Sequence, residues 1–133
     1  MQRALGAAPA AALLRRCARA AAAPGMRITV RVVGAAEARL PNRAFRRRDR
    51  PANVLSFAYD RRHGDVVLCH PLIRAEARRQ RKSLHAHYAH LVVHGVLHLR
   101  GHDHAGARAA ARMERIEIRI LRGLGIMNPY AVK

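Results

Sequence analysis

The run His94-Gly-Val-Leu-His98-Leu-Arg-Gly101-His-Asp103-His104 concentrates the chemistry-bearing residues of this chain. Two histidines four apart sit in an apolar stretch. On a helix they share one face about 6 Å apart along the axis, close enough for both imidazoles to reach one metal ion. Gly101 can end that helix in a left-handed conformation and turn the chain back, bringing the imidazole of His104 to the same point. Three neutral imidazoles and one open position describe a catalytic zinc site rather than a structural one, which makes His94, His98 and His104 the predicted ligands. His90 lies four residues before His94 on the same face. Eight residues separate it from His98, about 12 Å along a helix, so these two cannot share an ion. The pair is either 90/94 or 94/98, and Gly101 favours the second. His90 is left to support a ligand or face the substrate. Asp103 is placed to orient a ligand or cap the turn, and His102 to compete for metal or touch substrate.

The spacing His-x-x-x-His-x-x-Gly-x-x-His is also that of a large class of zinc peptidases. Those enzymes carry glutamate directly after the first histidine as the general base. Here the position is Gly95, which has no side chain. Peptide hydrolysis is therefore disfavoured, and a reaction that chiefly needs charge stabilisation is favoured. Phosphodiester cleavage fits, because an arginine beside the metal could hold the scissile phosphate. The arginine cluster at 46–48 and 50 is the obvious supplier.

Composition agrees with a phosphate-rich partner. The 133 residues carry 26 basic against 8 acidic side chains, a net charge of +18, and 24 of the basic residues are arginine. Arginine binds phosphate in bidentate fashion and stacks on bases, so nucleic acid is the expected partner. No amphipathic helix with large apolar residues supports a membrane surface instead, and no apolar run approaches the ~20 residues of a membrane span. Cys17 and Cys69 have no CxxC spacing, and free thiols in a reducing cytoplasm are expected.

Aromatics are scarce, at 4% of the chain, so the core must be aliphatic. One domain is expected at this length. Residues 1–24 are rich in alanine and arginine and read as a helix over 10–23, opened by Pro9 and ended by Pro24-Gly25, or as a leader before Met26. The remaining 25–133 form the metal-dependent hydrolase domain. Residues 26–33 alternate as a strand, with Met26, Ile28, Val30 and Val32 inward. Residues 35–45 lean helical, kinked at Pro41. Two more strands are expected at 53–59 and 65–69. Pro71 then starts a helix running to about residue 80. Ser83 caps the helix at 84–99 that bears the histidines. Met113, Ile116, Ile120, Leu121 and Leu124 mark a last helix, stopped by Gly123 or Gly125. The predicted fold class is α+β: a small mixed β-sheet packed by helices, with a zincin-like metal-binding helix, in a single domain.

Several separate motifs resemble one family. The histidine run resembles the signature of the YbeY family of single-domain bacterial metalloproteins, and so does Asn42-Arg-Ala-Phe45-Arg46-Arg-Arg-Asp49-Arg-Pro51-Ala-Asn53-Val54-Leu55-Ser56-Phe57. Gly64-Asp65-Val66-Val67-Leu68-Cys69, Ala86-His87-Tyr88-Ala89-His90 and Asn128-Pro129-Tyr130 follow in the family's order. The resemblance implies a zinc-dependent endoribonuclease, with one Zn2+ per chain, acting on single-stranded RNA. Its implied roles are maturing the 3′ end of 16S ribosomal RNA and ribosome quality control, with the small ribosomal subunit as partner. It also implies His94, His98 and His104 as metal ligands and Arg46 as the catalytic arginine. This chain departs from the family at Pro41, where leucine is usual, at Ala52, where threonine is usual, and at His102, where an aromatic is usual. Two other classes compete. A non-catalytic RNA- or ribosome-binding module would close the metal with a fourth protein ligand, His102 or His90. A metallopeptidase would share the ligand spacing.

Overall fold

The computed structural model describes residues 8–34, 53–102 and 105–131. The kinked helix expected at 35–45, the Arg46 loop, Asp103 and His104 lie outside the described residues.

The alanine-rich segment forms helix α1, Ala11–Ala21. Ala10 is its N-cap, so Pro9 precedes the helix rather than occupying its first turn. Leu14, Cys17, Ala18 and Ala21 are buried, as a 3.6-residue period requires of one face. Strand β1, Arg27–Val33, follows after a turn in which Gly25 has φ 81°. Strands β2, Val54–Ala58, and β3, His63–Cys69, complete a sheet of order β1-β3-β2. β1 runs parallel to β3 (Val30 opposite Val66), and β2 antiparallel to it (Ser56 opposite Val66).

Being central, β3 is buried on both faces. Its Val66 and Leu68 join the main core with α1 and the other helices, while Val67 and Cys69 meet Val33 and Leu55 on the opposite face. The alternation predicted for β1 holds for Ile28 and Val30 but not at its end. Val32 is 38% exposed and Val33 is the buried residue, because Val33 packs on the second cluster.

Helix α2, His70–Arg79, begins directly after β3 with Pro71 in its first turn, where a missing N–H costs nothing. Helix α3, Leu84–Leu99, carries the histidines, and helix α4, Ala107–Gly123, follows it. α3 is the centre of the molecule: Tyr88, Ala89, Val92, Val93, Val96 and Leu97 are fully buried against sheet and helices. Truncating such an aliphatic side chain to alanine costs about 2–5 kcal/mol. The result is the expected α+β fold, a small mixed sheet crossed by a histidine-bearing helix. Among the described residues no helix is long and apolar enough to cross a membrane, and both cysteines are buried free thiols.

Candidate metal centre

Both ends of α3 are fixed by local chemistry. Ser83 Oγ accepts a hydrogen bond from the Ala86 N–H at 3.0 Å, satisfying one of the orphan donors of the first turn. At the other end Gly101 takes φ 94°, its N–H donates to His98 O, and the His102 N–H donates to Leu97 O. This pair of bonds reverses the chain immediately after the helix. Arg100 is drawn away from the histidines, its Nη1 donating to Ala21 O at the end of α1. Between these ends α3 is apolar on most of its circumference, and His90, His94 and His98 form a half-buried stripe at intervals of four.

The stripe resolves into two neighbouring groups. Nε2 of His94 and Nε2 of His98 stand 3.1 Å apart with the rings edge to face. Behind His94, its Nδ1 lies 2.5 Å from Oε2 of Glu117 on α4. An ionised carboxylate can only accept, so His94 Nδ1 carries the proton and donates it. In the neutral form of the ring the lone pair is then on Nε2, the nitrogen facing His98. A carboxylate that accepts from one ring nitrogen and so directs the other is the arrangement that orients metal-binding histidines.

Glu117 is fully buried, and every bond it makes favours its charged form. Its Oε1 is 2.9 Å from His90 Nε2 and also accepts from the Tyr130 hydroxyl. Burial by itself would raise the carboxyl pKa. The hydrogen bonds from His90, His94 and Tyr130 outweigh that penalty and hold it well below the usual carboxylate range. Burial and the Glu117 charge together push the Tyr130 hydroxyl up, so it remains a donor at any physiological pH. Tyr130 reaches the site because Gly125, at φ 79°, turns the chain back after α4, with Ile126 N–H bonding Leu121 O at 2.8 Å.

The residues present fit a metal in one place more readily than in another. Two imidazole nitrogens bound to one zinc, each at about 2.0–2.1 Å in a tetrahedron, stand slightly more than 3 Å apart. His94 Nε2 and His98 Nε2 have nearly that separation without rearrangement. His90, His94 and Glu117 also offer ligand atoms within 4.8 Å of one another and could hold an ion. There, however, the carboxylate already accepts directly from both rings at 2.5 and 2.9 Å, and an ion between them would displace those bonds.

The position that a peptidase would give to its base faces away from this centre. A Cβ on Gly95 would lie 2.9 Å from Val66 Cγ1 and 3.1 Å from Ser56 Oγ, and that Ser56 hydroxyl donates to Gly95 O at 2.9 Å. Gly95 is therefore a point of close approach between α3 and the sheet. The absent glutamate is a packing requirement of this fold as well as a missing catalytic group.

A family model described as Endoribonuclease YbeY matches residues 7–125. The chain belongs to the endoribonuclease YbeY family. The protein named Endoribonuclease YbeY from Aromatoleum aromaticum is 50% identical over 139 residues, covering 98% of this chain and 90% of that relative. The one of the same name from an Azoarcus species is 46% identical over 136 residues. That match covers 94% of this chain but 54% of the relative, so the chain spans about half of that longer protein. In fold, the solution structure of a Thermotoga maritima protein superposes with a TM-score of 0.56 at 20% identity, covering 91% of this chain and 88% of the other.

Within this YbeY-family chain, the residues singled out from sequence fall into three places. His94 and His98 face each other, and His90 stands one turn away, bound to the far oxygen of Glu117. His102 contributes its backbone to the helix cap and is half-buried. Arg46, Asp103 and His104 lie outside the described residues. Sequence reasoning missed Glu117, though a signal was present. Met113, Glu117 and Leu121 are spaced four apart and all buried, so a lone carboxylate stands in the apolar stripe of α4. Tyr130 had no stated role, because nothing local links it to a helix forty residues earlier.

Proposed function

We propose that this chain is a zinc-dependent endoribonuclease that cleaves single-stranded ribosomal RNA precursor in the cytoplasm. In this reading it matures the 3′ end of the small-subunit RNA and takes part in quality control of that subunit. Membership of the endoribonuclease YbeY family supports the reaction class. The observation that carries the chemistry is the convergence of His94 Nε2 and His98 Nε2 at 3.1 Å, with Glu117 holding His94 from behind.

His94, His98 and His104 would hold the zinc. When bound, zinc supplies Lewis-acid activation of a water molecule and of the phosphoryl oxygen. His94 keeps its Nε2 lone pair available because its Nδ1 proton is committed to Glu117. Arg46 engages the scissile phosphate and stabilises the charge that builds on its oxygens. The surrounding arginine-rich surface gathers the RNA backbone, in keeping with the net charge of +18. Residues 25–133 are the hydrolase domain in this reading, with residues 1–24 supplying a helical N-terminal element.

Metal analysis of the purified protein, paired with cleavage of ribosomal RNA precursor, tests the proposal. Wild type should hold about one zinc per chain and cut the precursor. His98→Ala should lose both properties, and Arg46→Ala should keep zinc and lose cleavage. A metal-free wild type, or full cleavage by His98→Ala, would overturn it.

A further inference from the structure

A cavity of about 470 Å³ opens beside the histidine stripe, between the first two turns of α3 and the chain that returns after Gly125. His90 belongs to both places. It lines the cavity, and its Nε2 is 2.9 Å from Glu117, which in turn holds His94. The cavity therefore begins one helical turn, about 6 Å, from the proposed zinc ligand.

Its walls divide by chemistry. Leu124, Ile126 and Met127 give an apolar side, and Met127 is 79% exposed although it is a large apolar residue. Lys82, His85 and His87 line the opposite side. Ser83 and Ala86, also in the lining, mark the N-terminus of α3, where the first-turn N–H groups favour an anion. Two nitrogens of the lining histidines, Nδ1 of His87 and Nδ1 of His90, are buried and have no hydrogen-bond partner among the described residues. His87 itself is 5% exposed. A ligand suited to these walls has a flat apolar face and a negative charge nearby.

We infer that this cavity is a subsite for one nucleotide of the RNA substrate, more than one phosphate removed from the scissile one. The nucleobase lies against Met127 and Ile126, and the phosphate is drawn to Lys82 and the start of α3. Apolar contact with the face of a base tolerates any base and so suits a nuclease for single strands, whose bases are free to leave the stack. Ser83 and His94 are eleven residues apart, about 16 Å along the helix, so the charged end of the cavity lies well beyond the scissile phosphate. The inference rests on the proposed ribonuclease function.

The probe is a fluorescent, non-cleavable 2′-O-methyl single-stranded oligoribonucleotide, titrated into zinc-loaded protein by anisotropy. Each base is then replaced in turn by an abasic unit. In wild type, removal of one base is expected to weaken binding, and removal of the others is not. Two variants are compared: Ala86→Leu, which fills the cavity, and Met127→Ala at an exposed position, which folding tolerates. Both should bind the intact probe about tenfold more weakly and lose the dependence on that base, with zinc content unchanged. Equal binding by all three proteins, or a flat abasic scan in wild type, overturns the subsite. If wild type cleaves RNA and the scan is flat, the subsite falls and the nuclease reading stands. If the base dependence appears and no RNA is cleaved, the subsite stands and the nuclease reading falls.

Discussion

His94 Nδ1 lies 2.5 Å from Glu117 Oε2, a bond that joins the central helix to the last helix across 23 residues of sequence. It sets which nitrogen of His94 carries the proton and which one turns toward His98. Replacing Glu117 with glutamine preserves shape and an acceptor oxygen but removes the charge. We expect zinc affinity to fall about 10–100-fold in Glu117→Gln, measured by competition with a chromophoric chelator. Affinity equal to wild type in a folded variant would show that Glu117 does not orient the ligand.

Gly95 lies in contact with the sheet, and its substitution tests that packing. Gly95→Ala places a methyl group 2.9 Å from Val66 Cγ1 and should cost about 1–3 kcal/mol in chemical denaturation. Gly95→Glu should destabilise further and yield no casein cleavage, since the side chain has no path to the histidines. Peptidase activity in that variant would contradict the orientation of α3.

Gly101 has open space around its Cα but a φ of 94°. Gly101→Ala should therefore cost about 1–2 kcal/mol from backbone strain alone. Thermal unfolding reads this directly, and an unchanged midpoint would mean that the chain reverses without a left-handed residue.

His87 links stability to pH. It is buried against the core, which lowers its pKa below the ordinary 6.5, although its bond to Glu76 at 2.9 Å opposes the shift. The unfolded chain then binds the proton more readily than the folded one. Stability is full above about pH 6.5 and is lost as the pH falls through that value toward the folded pKa. A His87→Asn variant, which cannot titrate, should show a flatter stability profile between about pH 7 and 5 than wild type. Identical slopes would remove His87 as the cause.

RNA binding should be dominated by the backbone. With a net charge of +18, log Kobs should fall linearly with log salt, by about 0.7 for each phosphate neutralised on a single strand. A slope near zero would point to an apolar interface instead.

Much of the framework follows from local rules. Alternation, helical period, Ser83 as N-cap and Gly101 as helix stop all belong to short segments whose conformational preferences act within a few residues. These preferences set the strands, α3 and the spacing of His94 and His98 without any tertiary contact. Strand ends were less legible: whether Val32 or Val33 is buried depends on what lies against each face of the sheet, which the strand itself does not encode. Burial of both faces of β3 follows from its central position between β1 and β2, a property of pairing and not of its own sequence.

The sequence by itself determined the histidine-bearing helix, its spacing of four and the glycine that turns the chain, because hydrogen bonds along one helix enforce them. Only the tertiary structure decided what surrounds those histidines. Glu117 became the partner of His94 and His90 because α4 packs its buried stripe against α3. Tyr130 joined them because Gly125 folds the tail back. Gly95 turned out to face Val66 and Ser56 because α3 lies close on the sheet. Each of these contacts joins residues far apart in the chain, and it is packing, not local propensity, that brings them within hydrogen-bonding range.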